Sequence, residues 1–434
     1  MSEKYKLGLT RNRLFEFDNC VLFCGKIKDG FEETELLKAF KMLCLKEPLL
    51  TSKIELQDDG EAFVVTESVE QKIKKISKPY SEIMEEYEND GIDFWNKVFE
   101  FSLSSDGFLV IAAHTAVCDA KSLLRLAAEL YAFYSKESVS VEPSAINLFS
   151  EFQSLPVEVA SPITDKLSAE LDSKWMEKPH TYSAEDYKKA KSMYLKNRSS
   201  RGKLCAVVNK ELLSSLQEYC GENNLDVSSV VAFSFYENLV KLAGGKRKYN
   251  KMNVYADERF FFANFKDYGV GAFNGVITAD LNKKENGKTL GDRVKQFHLN
   301  CYKGVTSIFK VFYDESLLMK VSPSLCDSAY MYKVGLNKNK TSKKLAENYG
   351  CACKKICDFF ACNLEQEYWK VLEEFSFAEV FEPLKMRSAT YVGFVRRKGE
   401  GYITFKYKKD RCSDSQAQII LENSLQLLKK IVKK

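Results

Sequence analysis

Residues 108–131, FLVIAAHTAVCDAKSLLRLAAELY, decide how the chain is read. FLVIAA is apolar throughout, which suits a strand buried on both faces. HTAVCDA interrupts it with a short polar turn, and the apolar residues then return at helical spacing. Leu123, Leu126, Leu130 and Phe133 share one face of that helix. Asp119 stands where an N-cap belongs, just before a helix that begins near Ala120. His114 and Asp119 lie five positions apart in the turn, so a histidine–aspartate active site is one reading. A core histidine that shapes the turn and a capping aspartate are the plainer one.

Working outward, FDNCVLFCGKI reads as a strand. FEETELLKAFKMLCLKE reads as a helix with Leu36, Phe40 and Leu43 on one face and Pro48 beyond its end. KIELQDDGEAFVV is a hairpin around Asp59-Gly60. Residues 136–165 hold Pro143, Pro156, Pro162 and many serines, and read as a connector. Beyond it, NKELLSSLQEYCGENN and DVSSVVAFSFYENLVKLAGG are helices, the second capped by Asp226 and stopped at Gly244-Gly245. KMNVYADERFFF and DYGVGAFNGVITADL supply strands. ATYVGFVRR and GYITFKYKKD pair around Lys398–Gly401, and SQAQIILENSLQLLKKI is the last helix. Both halves mix helices with strands, so the expected class is α/β of the two-layer α+β kind, with partly antiparallel sheets and subdomains at 1–165 and 166–434. GVGAFNG lacks the G-x-G-x-x-G spacing between strand and helix, which removes a dinucleotide fold.

A net charge of +5 over 434 residues is too mild for a nucleic-acid-binding face, and no such partner is expected. It suits a small anion such as a coenzyme phosphate, or an acidic partner protein. The N-terminal MSEKYKLGLTRNRLFEFDN has no apolar signal region, and no stretch reaches the ~18 apolar residues of a membrane span. The 13 cysteines then read as reduced thiols, and the expected location is the cytoplasm. Cys351, Cys353, Cys357 and Cys362 crowd GCACKKICDFFAC without a C-x2-C knuckle, so free thiols are expected there and no metal. GGKRKYNKMN (244–253) and NKNKTSKK (337–344) read as solvated loops, or as contacts to a coenzyme or carrier-protein phosphate.

The order of these pieces resembles the condensation-domain superfamily of CoA-dependent acyltransferase folds. That superfamily includes peptide-synthetase condensation domains, polyketide-associated acyltransferases and alcohol acetyltransferases. LLKAFKMLCLKEPLLTSKIELQDDGEAFVV is similar to its first helix, h-P-L-L turn and hairpin. The 108–131 stretch is similar to its strand, H-H-x-x-x-D-G signature and helix. LDVSSVVAFSFYENLVKLAG, ADERFFF and VGAFNGVITADL resemble the helix, arginine strand and G-x-F-x-N strand of its second half. FEPLKMRSATYVGFVRRKGEGYITFKYKKD resembles its C-terminal strands.

The resemblance implies two chloramphenicol-acetyltransferase-like subdomains forming a V with a central tunnel. It implies that a thioester on a pantetheine arm enters one side and an amine or alcohol the other. In active relatives the second histidine of the signature handles the nucleophile's proton, and the aspartate pairs with an arginine of the second half. On this chain the first histidine is His114, the second is Thr115, the aspartate is Asp119 and the glycine is Ala120. Ser122 and Arg259 match the family's serine and arginine.

The departure falls on the catalytic position. A threonine hydroxyl is not a base near neutral pH, and losing a positioned acid–base group typically costs ~10²–10⁴ in rate. Binding and orientation still contribute. The resemblance therefore implies a stand-alone acyltransferase, moving an acyl group from CoA or a carrier-protein thioester to an amine or hydroxyl. Its co-substrate would be acyl-CoA or a phosphopantetheine thioester, with no bound cofactor. Its partners would be a small-molecule amine or alcohol and a separate acyl or peptidyl carrier protein. Two alternatives stand beside it: a catalytically silent condensation-like protein that binds a partner or ligand, and an enzyme whose base has moved to His114 or to a carboxylate of the second half. His180 and His298 lie in no motif and read as surface or packing residues.

Overall fold

A computed structural model describes residues 3–136, 141–146, 148, 162–243, 251–262, 270–281, 288–318, 320–348, 355–362, 373–385 and 388–433. Its strands run β1 (Lys4–Lys6), β2 (Cys20–Ile27), β3 (Lys53–Leu56), β4 (Ala62–Val65), β5 (Ile73–Ile76), β6 (Phe99–Ser104) and β7 (Leu109–His114) in the first part. The second part adds β8 (Arg201–Val208), β9 (Met252–Asp257), β10 (Asn274–Ala279), β11 (Lys355–Cys362), β12 (Phe375–Phe381), β13 (Ser388–Arg397) and β14 (Glu400–Lys408). The longer helices are α1 (Glu33–Lys46), α2 (Tyr80–Asp90), α3 (Ala120–Tyr134), α4 (Pro162–Met176), α5 (Ala184–Asn197), α6 (Lys210–Asn223) and α7 (Val227–Leu242). They continue with α8 (Leu290–Val305), α9 (Pro323–Lys333), α10 (Lys340–Asn348) and α11 (Asp414–Val432).

A five-stranded sheet in the order β12-β2-β7-β6-β5 carries the 108–131 stretch. Residues of β2 and β7 alternate between two cores, as a period of two requires. Val21, Phe23, Leu109, Ile111 and Ala113 enter the core under α1 and α3. Cys20, Leu22, Cys24, Val110 and Ala112 enter the one under α2, with Ile83 and Met84. Both faces are covered, which is why FLVIAA is apolar without interruption. The second sheet has the order β10-β9-β11-β13-β14-β8, with β11 parallel to β9 and β13. α6, α7 and α11 bury their apolar faces on it. The hairpin between β13 and β14 turns on Lys398 and Gly399, both at positive φ (53° and 76°).

The division into 1–165 and 166–434 does not follow the cores. Leu171 and Trp175 of α4 and Tyr187, Ala190 and Tyr194 of α5 pack into the first core. Leu325, Ala329 and Leu345 of α9 and α10 join them. The second sheet begins only with β8. The proline- and serine-rich connector thus marks a break in composition, and the chain changes core about 40 residues later. In the other direction, β12 leaves the second half and pairs antiparallel with β2, from Phe381 opposite Leu22 to Phe375 opposite Ile27. Phe375 is buried there between Phe23, Phe31 and Tyr131.

Candidate functional site

β7 ends at His114, and α3 starts at Ala120 with Asp119 as its N-cap. The His114 side chain turns into the core, fully buried and edge-on to Phe94 with ring centroids 5.3 Å apart. The Ala116 N–H donates to its Nδ1 at 3.1 Å, so the ring braces the turn. Its Nε2 is buried without a hydrogen-bond partner among the described residues. Burial, with Lys191 adding to it, pulls the imidazole pKa down to about 3 and keeps it neutral. The Thr115 N–H donates to the Asn19 carbonyl at 2.8 Å. The Thr115 side chain is also buried, and its Oγ1 has no partner among the described residues.

Four residues on, Asp119 pins the two halves together. Its Oδ1 accepts from the Ser122 N–H at 2.7 Å and from Arg259 Nη2 at 3.0 Å. Its Oδ2 accepts from the Phe273 N–H at 2.8 Å and lies 2.9 Å from Arg259 Nη1. Ser122 Oγ donates to the Gly271 carbonyl at 2.8 Å and accepts from the Gly271 N–H at 3.1 Å and from Arg259 at 2.6 Å. The guanidinium also meets Asp257 at 3.2 Å and lies 4.4 Å from the centre of the Phe273 ring. Burial alone would raise the Asp119 pKa; Arg259 and the two backbone donors overcome it and hold the carboxyl below its ordinary value.

The sequence reading brought Asp119, Ser122 and Arg259 to one place but missed the rest of this cluster. Glu382, which follows β12, accepts from the Ala120 N–H at 3.0 Å and from Asn274 Nδ2 at 2.7 Å. Lys121 pairs with Asp257 at 2.9 Å. Gly271, Phe273 and Asn274 sit in the GAFNG stretch that resembles a family strand, so a signal for them existed. Nothing in FEPLK pointed to Glu382.

A cavity of about 580 Å³ opens against this cluster. Lys121, Asp257, Arg259 and Asn274 line it, together with Asp226, Ser228, Ser229, His298 and Tyr302. Val254, Ala256, Val305, Phe359 and Phe360 add apolar wall. His114 and Thr115 are not among the lining residues. His298, read as a surface or packing residue, is a cavity residue: its Nδ1 lies 2.8 Å from Ser229 Oγ. His180 is exposed and stands edge-on to Tyr182.

Cys357 is buried in β11, while Cys351 and Cys353 fall outside the described residues, as do 244–250 of the basic stretch. In NKNKTSKK, Asn339 Oδ1 accepts from the Thr341 and Ser342 amides at the start of α10, and Lys344 pairs with Glu170. Among the described residues no helix is long and apolar enough to cross a membrane.

No protein-family model and no curated protein matches the chain. Solved structures do. The epimerization domain from the third module of tyrocidine synthetase B aligns with 99% of this chain and 97% of its own, at 14% identity and a TM-score of 0.63. The condensation domain from Monacolin K polyketide synthase MokA aligns over 100% and 98%, at 10% identity and a TM-score of 0.63. The chain has the condensation-domain fold. Part of the nonribosomal peptide synthetase FmoA3 aligns too, over 100% of this chain but only 43% of that one, at 13% identity and a TM-score of 0.63. Mixed sheets with helices packed on them are the α/β architecture of this two-subdomain fold.

Proposed function

We propose that this condensation-like protein is an acyltransferase, taking an acyl group from CoA or a carrier-protein phosphopantetheine and giving it to a hydroxyl or amine. The observation that carries this reading is the cavity set against the Asp119–Arg259 pair. The nucleophile attacks the thioester carbonyl, a C–O or C–N bond forms and the C–S bond breaks. The sulfur leaves as the thiol, with the proton the acceptor gives up. Neither His114 nor Thr115 supplies a base, so the rate comes from holding the two reactants together. The likeness to peptide synthetases supports a carrier-protein thioester as donor beside acyl-CoA.

A second reading, a silent protein that binds a ligand or partner, is favoured by the sealed His114 ring and by Thr115 at the catalytic position. Purified protein incubated with acyl-CoAs and amine or alcohol acceptors, with free thiol followed over time, separates the two. Acceptor-dependent thiol release supports transfer. No release from the native chain, with release appearing in Thr115→His, supports the silent protein.

A further inference from the structure

The charges around the cavity do not cancel. Lys121 is paired with Asp257 at 2.9 Å, and Arg259 with Asp119 at 2.9 Å and Asp257 at 3.2 Å. Each cation of the lining is thus already matched by a carboxylate. Asp226 lines the cavity too, is exposed, and meets no cation among the described residues. Its Oδ2 accepts from the Ser229 N–H at 2.9 Å, which caps α7 but brings no counter-ion. An anionic ligand would find repulsion from Asp226 and no unmatched cation; a cationic one finds a carboxylate.

The groups beside Asp226 suit the same ligand. The Asp226 N–H donates to His298 Nδ1 at 3.3 Å, and the His298 ring stacks on Tyr302 with centroids 6.2 Å apart. Burial lowers the His298 pKa although Asp226 opposes it, so the imidazole is neutral near pH 7 and is no cation for Asp226. Tyr302 is 56% exposed, and the face of such a ring attracts a cation. Ser228, in the first turn of α7, also lines the cavity and is only 6% exposed, and its Oγ has no partner among the described residues. A buried hydroxyl oxygen left without a partner can accept from a ligand N–H. Val254, Ala256 and Phe359 offer apolar surface to the rest of the ligand.

We propose that this cavity binds a ligand with an ammonium group on an apolar body, and that Asp226 is the ammonium's counter-ion. A carboxylate favours the protonated nitrogen, which has no lone pair to attack a thioester. The ammonium is therefore the group that is recognised and not the group that is acylated. On the transfer reading, on which this last step alone rests, the acceptor is a diamine or an amino alcohol: one nitrogen is held as a cation while a second amine or a hydroxyl takes the acyl group. Binding itself needs no turnover.

Titration calorimetry of the full chain with phenylbutylamine, phenylbutanol and phenylbutyrate near neutral pH tests the proposal, because the three differ only in the polar end. The amine is expected to bind about tenfold more tightly than the alcohol, and the carboxylate most weakly. Asp226→Asn removes the charge and keeps a side chain that caps a helix well, so its melting temperature should stay close to the native one. In that variant the advantage of the amine over the alcohol should disappear. Ser228→Ala should weaken the amine by about tenfold or less. Equal or tighter binding of the alcohol or the carboxylate overturns the proposal, and so does an amine affinity that Asp226→Asn leaves unchanged, or no heat from any of the three. The three-ligand series on the native chain decides the matter even if a variant fails to fold. Amines that bind as expected, with neither a diamine nor an amino alcohol acylated from any acyl-CoA, remove the transferase reading and keep this one. Acylation of phenylbutanol by a protein that binds the amine no better than the alcohol does the reverse.

Discussion

At the residue scale, Asp119 and His114 show how a short motif carries unequal information. Capping, spacing and family pattern all converged on Asp119, and its partners Ser122 and Arg259 were legible for the same reason. The direction of the His114 ring was not, because alternation along a strand gives no answer at its last residue. Its environment makes a test. The unfolded imidazole titrates near ~6.5, whereas the folded one stays neutral down to about 3. Between those values the unfolded chain binds a proton that the native chain does not, so stability falls as pH drops through that window. Urea midpoints measured across it should show this slope flattened in His114→Gln, which retains an acceptor for the Ala116 N–H. Arg259→Ala leaves the Asp119 carboxylate buried without its counter-ion and should cost about 3–5 kcal/mol in equilibrium unfolding. Arg259→Lys, with one donor group in place of a planar fork, should recover only part of it.

At the element scale, strands with a local signal were readable and those completed from a distance were not. The β3–β4 hairpin announces itself with Asp59-Gly60, and β13–β14 with its turn. KICDFFAC drew attention for its cysteines, yet it is β11, a strand between β9 and β13. β12 has the hardest pattern to see. FSFAEVF is seven residues long, and its partner β2 lies some 350 residues earlier. Nothing near it in sequence names that partner. Its pairing predicts that Phe375→Ala, which empties a fully buried aromatic site, costs about 3–5 kcal/mol in a urea titration. A loss under 1 kcal/mol would mean that β12 is a loosely held edge.

At the scale of the whole molecule, buried ion pairs tie the first and last parts of the chain together. Arg11 meets Asp327 at 2.6 Å and Arg13 meets Glu315 at 3.3 Å. Lys406 meets Glu88 at 2.6 Å, and Arg201 pairs with Asp18. Such pairs are weak sources of net stability, but breaking one leaves a stranded charge. With β12 woven into the other sheet and α9 and α10 packed on the first core, neither half keeps a complete core alone. Circular dichroism and tryptophan fluorescence should therefore report one coincident unfolding transition. Two separated transitions would show that each half is a folding unit of its own.

The Asp119 pin also sets an order in time. Its contacts to Arg259 and Phe273 close loops of 140 and 154 residues, and such closures are made after local helices and hairpins have formed. An interaction absent from the rate-limiting step acts on escape from the native state and not on entry to it. Arg259→Ala should then unfold many times faster while refolding at nearly the native rate, a split that stopped-flow kinetics can read directly. The pin would be a clasp closed last, one that governs how long the folded molecule lasts.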